Sequence, residues 1–493
     1  MARRPSTPPA PPVRKEAPAA PTWLRPVVLA FTALLFLAST SSEVGDYDFW
    51  WHLKTGQYIV QQHALPAPDQ FAFTTYLGKP AYPQEERVRH FNLTHEWLAQ
   101  ILFYLAYAAG GFAGIVLLRA MLIAAFCGLL GLVVYGRTNS FYRGVGAAIL
   151  AGTVAWQFVP ERPYLITFVF LAATVAIVES RRWLWVLPPM FVIWSNCHSG
   201  YFLGWVVLAL FWPAKSRPQA GLPAPRFWPV ALASVLASGL NPNGFLALPV
   251  LRWYQSSAMQ SSVAEWQYPL PWPPTPFSML LAGALAVLIW QRRQARPIDW
   301  LLLVVFGAAS LSAVRNIILA AVPGAILIAT YFPWKRSLPR AAEFAVAALL
   351  LLATGARIAH GRSFQFRAAE WKFCGGAADF LIAHHVTVPM FNTYEMGFTS
   401  RRTGVRRRGR RRSSSTGSGT SGSCWRSFWR SRCSGRWTWR GSRRCSLLTR
   451  GSTRRRRRRS RCCCSWGRLG SRRSCRCTCG CRTRWRGRRR CRR

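Results

Sequence analysis

The chain has 493 residues, 51% hydrophobic and 14% aromatic, with only 16 Asp plus Glu and a formal charge of +49. Long apolar stretches separated by short basic breaks exclude a single water-soluble core and point to a helical protein that crosses a bilayer many times. The charge excludes little by its sum, because Ser400 to Arg493 holds 35 Arg and no acid, which leaves +14 for the rest.

Residues 1–22 are rich in Pro and Ala, carry Arg3, Arg4, Arg14 and Lys15, and read as a disordered cytoplasmic lead. The apolar run from about Trp23 to Thr40 has no small-residue cleavage signal and is expected to stay as a signal anchor. Further runs of roughly spanning length lie near 112–136, 143–159, 162–179, 183–197, 200–214, 227–241, 274–291, 297–313, 315–332 and 339–357. With the anchor they predict an all-α polytopic integral membrane protein of about 11 transmembrane helices, within a range of 10 to 13. Trp97 to Gly110 is too short to cross unaided and is expected to be an interfacial helix feeding the second span, with a twelfth span as the alternative.

Cytoplasmic loops are enriched in Lys and Arg. With a cytoplasmic N-terminus and eleven spans, the basic clusters at Arg137 and Arg143, Arg181 and Arg182, Lys215 and Arg217, Arg292 to Arg296, and Lys335 and Arg336 all fall inside. The loop 42–96, the turns at Glu161-Arg162, Asn196 to Gly200 and Asn241 to Gly244, the loop 245–273 and the Arg315 break then fall outside. Residues 23–359 form the membrane domain in this reading, and 360–397 begin an extracytoplasmic soluble domain.

Residues 398–493 are an expected disordered tail of Arg, Ser, Cys and Trp that holds 11 of the 14 cysteines and six Trp. Solvated basic arms lack that Cys and Trp content. A one-base shift through the Leu and Ala codons of a GC-rich gene yields Trp, Cys, Arg and Ser, so the tail has the composition of a frameshifted apolar protein. The alternative is an Arg-rich arm. Neither reading assigns it a nucleic-acid partner. The three other cysteines, Cys127, Cys197 and Cys374, show no disulfide or zinc spacing.

Polar residues concentrate on the outer side. After Asp46 and Asp48, Phe49, Leu53, Gly56 and Val60 recur at helical spacing, which predicts an amphipathic helix lying on the membrane surface with Trp50 and Trp51 at headgroup depth. Asp46 and Asp48 are candidates either for capping that helix or for general base chemistry. His52 lies one turn from Asp48, close enough to share a proton, a metal ion or a substrate hydroxyl. His95 and Glu96 stand where the chain re-enters the bilayer, as part of a Trp97 interfacial anchor or as a second acid. Arg162 and Arg315, at the outer ends of spans, either snorkel to headgroups or together neutralise a phosphate. His198 and the Asn-Pro-Asn-Gly turn at 241–244 read as structural.

The segments GDYDFWWHLKTGQYI, PAPDQFAFT, HEWLAQILFYLAYAAGGFAGIVLLRA, RPYLITFVF, LNPNGF and FNTYEMG, spread over about residues 24 to 397, resemble a bacterial branch of the GT-C superfamily of polytopic membrane glycosyltransferases. The resemblance implies transfer of a sugar from a polyprenyl-phosphate donor to an extracytoplasmic acceptor at the bacterial inner membrane. Asp48 or Asp46 would be the base, and Glu96 would assist it or bind a divalent cation such as Mg or Mn. Arg162 and Arg315 would face the phosphate, with His52, His95 and His198 lining the substrate. A transporter or flippase for a lipid-linked saccharide, and a non-catalytic component of envelope assembly, are the rival readings.

Overall fold

The computed structural model describes residues 21–72, 80, 83–158, 160–215, 227–255, 263–333, 338–373 and 375–385, together with the backbone of four short strands in the tail. The chain divides into two units, Met1–Ser413 and Ser414–Arg493. In the second unit the described residues form two antiparallel pairs, Arg432–Cys433 with Arg436–Trp437 and Cys464–Leu469 with Arg472–Cys477. The rest of the expected disordered tail, the FNTYEMG segment and Cys374 lie outside the described residues.

The first unit is helical. In chain order its α-helices are α1 (Leu24–Thr40), α2 (Asp48–Gln62), α3 (Glu85–Thr94), α4 (Trp97–Thr138), α5 (Phe141–Ala155), α6 (Tyr164–Ser180), α7 (Leu187–Cys197) and α8 (Phe202–Lys215). They are followed by α9 (Phe227–Ala237), α10 (Ala247–Gln255), α11 (Pro276–Trp290), α12 (Pro297–Ser312), α13 (Ala321–Tyr331), α14 (Arg340–Ala359) and α15 (Gly375–Ala383). Leu- and Ala-rich sequence favours helix, and a helix apolar all round has no face that prefers water.

Three helical segments are long and apolar enough to cross a membrane: Glu85–Thr138, Val314–Tyr331 and Arg340–Ala359. Eight shorter apolar helices lie among the described residues, and each expected span falls on one of these eleven segments. Leu349, Leu352, Val304, Leu132 and Met121 all stand more than 60% exposed on them. Such surface is costly in water and ordinary against lipid.

The core is formed chiefly by α4 to α9 and α11 to α13, and α1 packs beside it on α14. Within α4 the chain breaks at Gly111, whose φ of 59° and ψ of −141° suit glycine alone. The two halves then fold back on each other. A Cβ built on Gly114 would lie 2.1 Å from the Ala106 carbonyl oxygen, and the Tyr107 and Phe112 rings meet at 5.4 Å. Trp97 to Gly110 is therefore the short arm of a helical hairpin whose longer arm begins at Gly111.

The arm forms a second, smaller core. Phe49, Trp50 and Leu53 of α2 bury against Phe103, Ile115 and Val116 of the hairpin and against Ala368, Ala369 and Phe373. The expected membrane-surface helix thus lays its apolar face on protein. Trp50 is 2% exposed, between Phe112 and Phe373, so protein rather than lipid covers its ring. At Gly56 the two backbones touch, and an added Cβ would come within 2.0 Å of the Gln100 carbonyl oxygen.

Candidate functional site

Two clusters of charge stand at opposite ends of the same helices. One joins Arg137 at the end of α4, Glu179 at the end of α6, and Arg296 and Asp299 at the start of α12. The other holds the residues singled out in the sequence. Arg119 to Arg137 on α4 and Arg162 to Glu179, nearly all of it within α6, separate the clusters by about 25–27 Å at the helical rise, and α12 runs between Asp299 near its start and the turn that carries Arg315 beyond its end. That distance is close to the thickness of a bilayer's hydrocarbon core.

The second cluster is built on a pinned backbone. Residues 364–373 run beside 41–45: Val44 N donates to the Arg367 carbonyl at 2.9 Å and Ala369 N to the Val44 carbonyl at 2.8 Å. The chain is thereby fixed immediately before Asp46. Asp46 Oδ1 accepts the Asp48 backbone N–H at 3.0 Å, just ahead of Tyr47, the residue that stands at the N-cap of α2 without a side-chain cap bond.

The same carboxylate takes part in an ion pair. Arg162, in the turn before α6, donates through Nε to Asp46 Oδ2 and through Nη2 to Oδ1 at 3.1 Å. Its Nη2 also lies 3.0 Å from Asp48 Oδ2, and its Nη1 donates to Glu265 Oε2 at 3.2 Å. Although burial disfavours its charge, hydrogen bonding and attraction from Asp46, then Asp48 and Glu265, raise the Arg162 guanidinium above its ordinary value. Arg162, expected to face a phosphate, is instead engaged by three carboxylates. The Asp46 side chain is 5% exposed, that of Asp48 24% and that of Glu265 45%, so the acids grade from clamped to open.

A second knot surrounds Glu96. His95 Nε2 lies 3.3 Å from Glu96 Oε1, His198 Nε2 3.7 Å from the same oxygen, and His52 Nδ1 3.6 Å from Oε2. His95 Nδ1 sits 2.9 Å from the Phe91 carbonyl, which only accepts, so Nδ1 carries a proton. The contact with Glu96 is favourable when Nε2 is protonated too, which makes an imidazolium–carboxylate pair. His198 is the opposite case. Its Nδ1 accepts the Gly200 N–H at 3.0 Å and faces Thr167 Oγ1 at 2.8 Å, and that hydroxyl accepts the Trp194 indole N–H at 2.9 Å. The remaining proton sits on Nε2, toward Glu96. Burial holds His198 neutral, down to about 3, against the pull of Glu96. Burial likewise lowers His52, opposed by Glu96, Asp48 and Asp46.

Arg315 closes the ring. Its guanidinium stacks 4.6 Å over Trp266, the neighbour of Glu265, and it has no carboxylate within ion-pair reach among the described residues. Beneath Asp46, Arg119 and Glu161 form a buried pair, with Arg119 also donating to the Ser42 carbonyl. Burial pushes the Glu161 carboxyl up to about 7 against the opposing Arg119 charge.

The structure therefore brings together all eight predicted residues: Asp46, Asp48, His52, His95, Glu96, Arg162, His198 and Arg315. Sequence reasoning missed Glu265, Trp266, Glu161 and Thr167. The signal for Glu265 was present, since any acid in so acid-poor a chain is unusual. The other polar motifs are structural. Trp97 donates to Asn196 at 2.7 Å rather than anchoring at headgroups, and Asn243 of the Asn-Pro-Asn-Gly turn donates to Thr94 at 2.9 Å.

Among the described residues no group of three His, Cys, Asp or Glu side chains is placed to hold a metal ion. Of the three imidazoles around Glu96, His95 is its hydrogen-bonding and ionic partner, while His52 and His198 stand 3.6 and 3.7 Å away. The divalent cation implied by the sequence resemblance therefore does not fit this arrangement, and no chemistry is routed through one.

No protein-family model matches the chain, and no curated protein is significantly similar to it.

Proposed function

We propose that the chain is a GT-C-like glycosyltransferase of the bacterial inner membrane, with about eleven spans and a cytoplasmic N-terminus. It moves a sugar from a polyprenyl-phosphate donor to an extracytoplasmic acceptor. The observation that carries this reading is the surplus of carboxylates around Arg162, beside an Arg315 that pairs with no carboxylate among the described residues, about one hydrocarbon thickness from the opposite charge cluster. A transporter would place its essential charges near mid-membrane, and the paired charges here, the buried Arg119–Glu161 pair excepted, stand at or beside helix ends.

The roles follow from exposure. Asp46 is clamped by Arg162 and positions it. Asp48, more exposed than Asp46, takes the proton of the acceptor hydroxyl. The acceptor oxygen bonds to the sugar's anomeric carbon as the bond from that carbon to the phosphate oxygen breaks, and polyprenyl phosphate leaves. Arg315 faces the departing phosphate charge. Glu96, between an imidazolium and two neutral imidazoles, orients the substrate through His52 and His198.

Membrane vesicles carrying the full chain, supplied with radiolabelled polyprenyl-phosphate sugars, test the proposal. Asp48→Asn should abolish transfer at unchanged protein level. Undiminished transfer by both Asp48→Asn and Asp46→Asn would refute it.

A further inference from the structure

The segment that follows Glu265 reads WQYPLPWPPT and leads directly into α11, and no charged residue occurs between Glu265 and Arg292. Its large apolar side chains are turned outward: Tyr268 is 78% exposed, and Leu270 and Trp272 are each 76% exposed. These are among the most exposed large apolar residues described in the protein.

The segment is nevertheless held at both ends. Glu265 is tied to Arg162, Trp266 is stacked under Arg315, and the Gln267 carbonyl accepts the Val314 N–H at 2.8 Å. At its far end Thr275 and Ser278 form a capping box at the start of α11. Apolar side chains held outward on a braced, Pro-rich loop cannot relieve their exposure by local collapse, so a partner must cover them.

The partner's chemistry follows from continuity. Met279, Leu285, Ile289 and Trp290 of α11 are exposed at helical spacing, and the loop prolongs that apolar stripe. The stripe belongs to a helix of membrane-spanning composition, and the loop emerges at the end marked by Arg162 and Arg315. Tyr, Trp, Leu and Pro without charge suit the boundary between headgroups and acyl chains, where aromatic rings have one apolar and one wet side.

We infer that residues 266–274 form a membrane-dipping loop, with Tyr268, Leu270 and Trp272 inserted at the headgroup–acyl boundary of the bilayer, which holds the Glu265 and Trp266 side of the site at lipid level. The inference goes beyond the proposed reaction and does not depend on it, since it rests on exposure, bracing and continuity alone.

The test places an environment-sensitive fluorescent amino acid at position 270 of the full chain, reconstituted in phosphatidylcholine vesicles. A second variant labelled at 268 guards against a local defect at 270, and a third at 285 provides a lipid-facing reference on α11. Phospholipids brominated near the headgroup end of the acyl chain should quench 268 and 270 at least twofold more than lipids brominated near the chain terminus, with aqueous iodide nearly without effect. Quenching by iodide at both positions, or by neither quencher, would overturn the insertion. Loss of sugar transfer with the bromine pattern intact would count against the proposed reaction and leave the loop assignment standing.

Discussion

The two charge clusters at the ends of α4, α6 and α12 obey different rules. At one end two arginines meet two acids: Arg137 and Arg296 each pair with both Glu179 and Asp299, and Tyr331 donates to Asp299 as well. Charges balance there, and Asp299 is fully buried. At the other end one arginine serves three acids that are unequally exposed, while Arg315 has only an aromatic face among the described residues. A balanced network whose acids are buried holds helices together. An unbalanced and partly open one retains charge for a ligand, at a cost that the fold offsets elsewhere.

The comparison breaks most visibly at the balanced end. Asp299→Asn should destabilise the protein by about 3–5 kcal/mol, as removal of one member of a buried ion network does. Thermal unfolding in detergent would report it as a large drop in midpoint or as failure to accumulate in the membrane. Asp48→Asn at the open end should change stability by less than about 1 kcal/mol while lowering transfer by about 10²–10⁴-fold. Equal stability losses from the two substitutions would erase the distinction.

Gly56→Ala tests the packing that presents the site. Its Cβ would collide with the Gln100 carbonyl, and backbone cannot yield as a flexible side chain would. A loss of about 1–3 kcal/mol is expected, with transfer falling too because α2 carries both Asp48 and His52. Unchanged stability would mean that α2 does not seat on the hairpin at this point.

The smallest expected effect is on pH. The folded value of His198 lies near 3, below its ordinary 6.5. The unfolded chain therefore binds the proton first, and this contribution to stability, complete above pH 6.5, is lost as pH falls through that window toward 3. Melting temperature should decline from pH 7.5 to 5.0 more steeply in the native protein than in His198→Gln. Parallel declines would contradict a buried neutral His198.

What was legible in the sequence was whatever local pattern determines. Apolar runs identified the eleven helical segments because composition and length suffice for that. That Asp46, Asp48, Glu96, Arg162 and Arg315 belong together was suggested by the parity of the expected spans and the placement of basic loops, and the structure gathers them in one cluster. Pairings were not, because Arg162 meets Asp46 across 116 positions and no local rule reports such a contact. The hairpin at Gly110-Gly111 had a signal, a double glycine inside an apolar run, which length arguments alone overlooked. Trp50 illustrates a different limit, since an amphipathic pattern shows that a face is apolar without showing whether lipid or protein covers it.

The central claim is that the two clusters occupy opposite surfaces of the membrane. In a cysteine-free background, single cysteines at the exposed positions 265 and 293 can be challenged with a membrane-impermeant maleimide on right-side-out vesicles. The account predicts labelling of position 265 from outside and of position 293 only after permeabilisation. Labelling of both from the same side would contradict it.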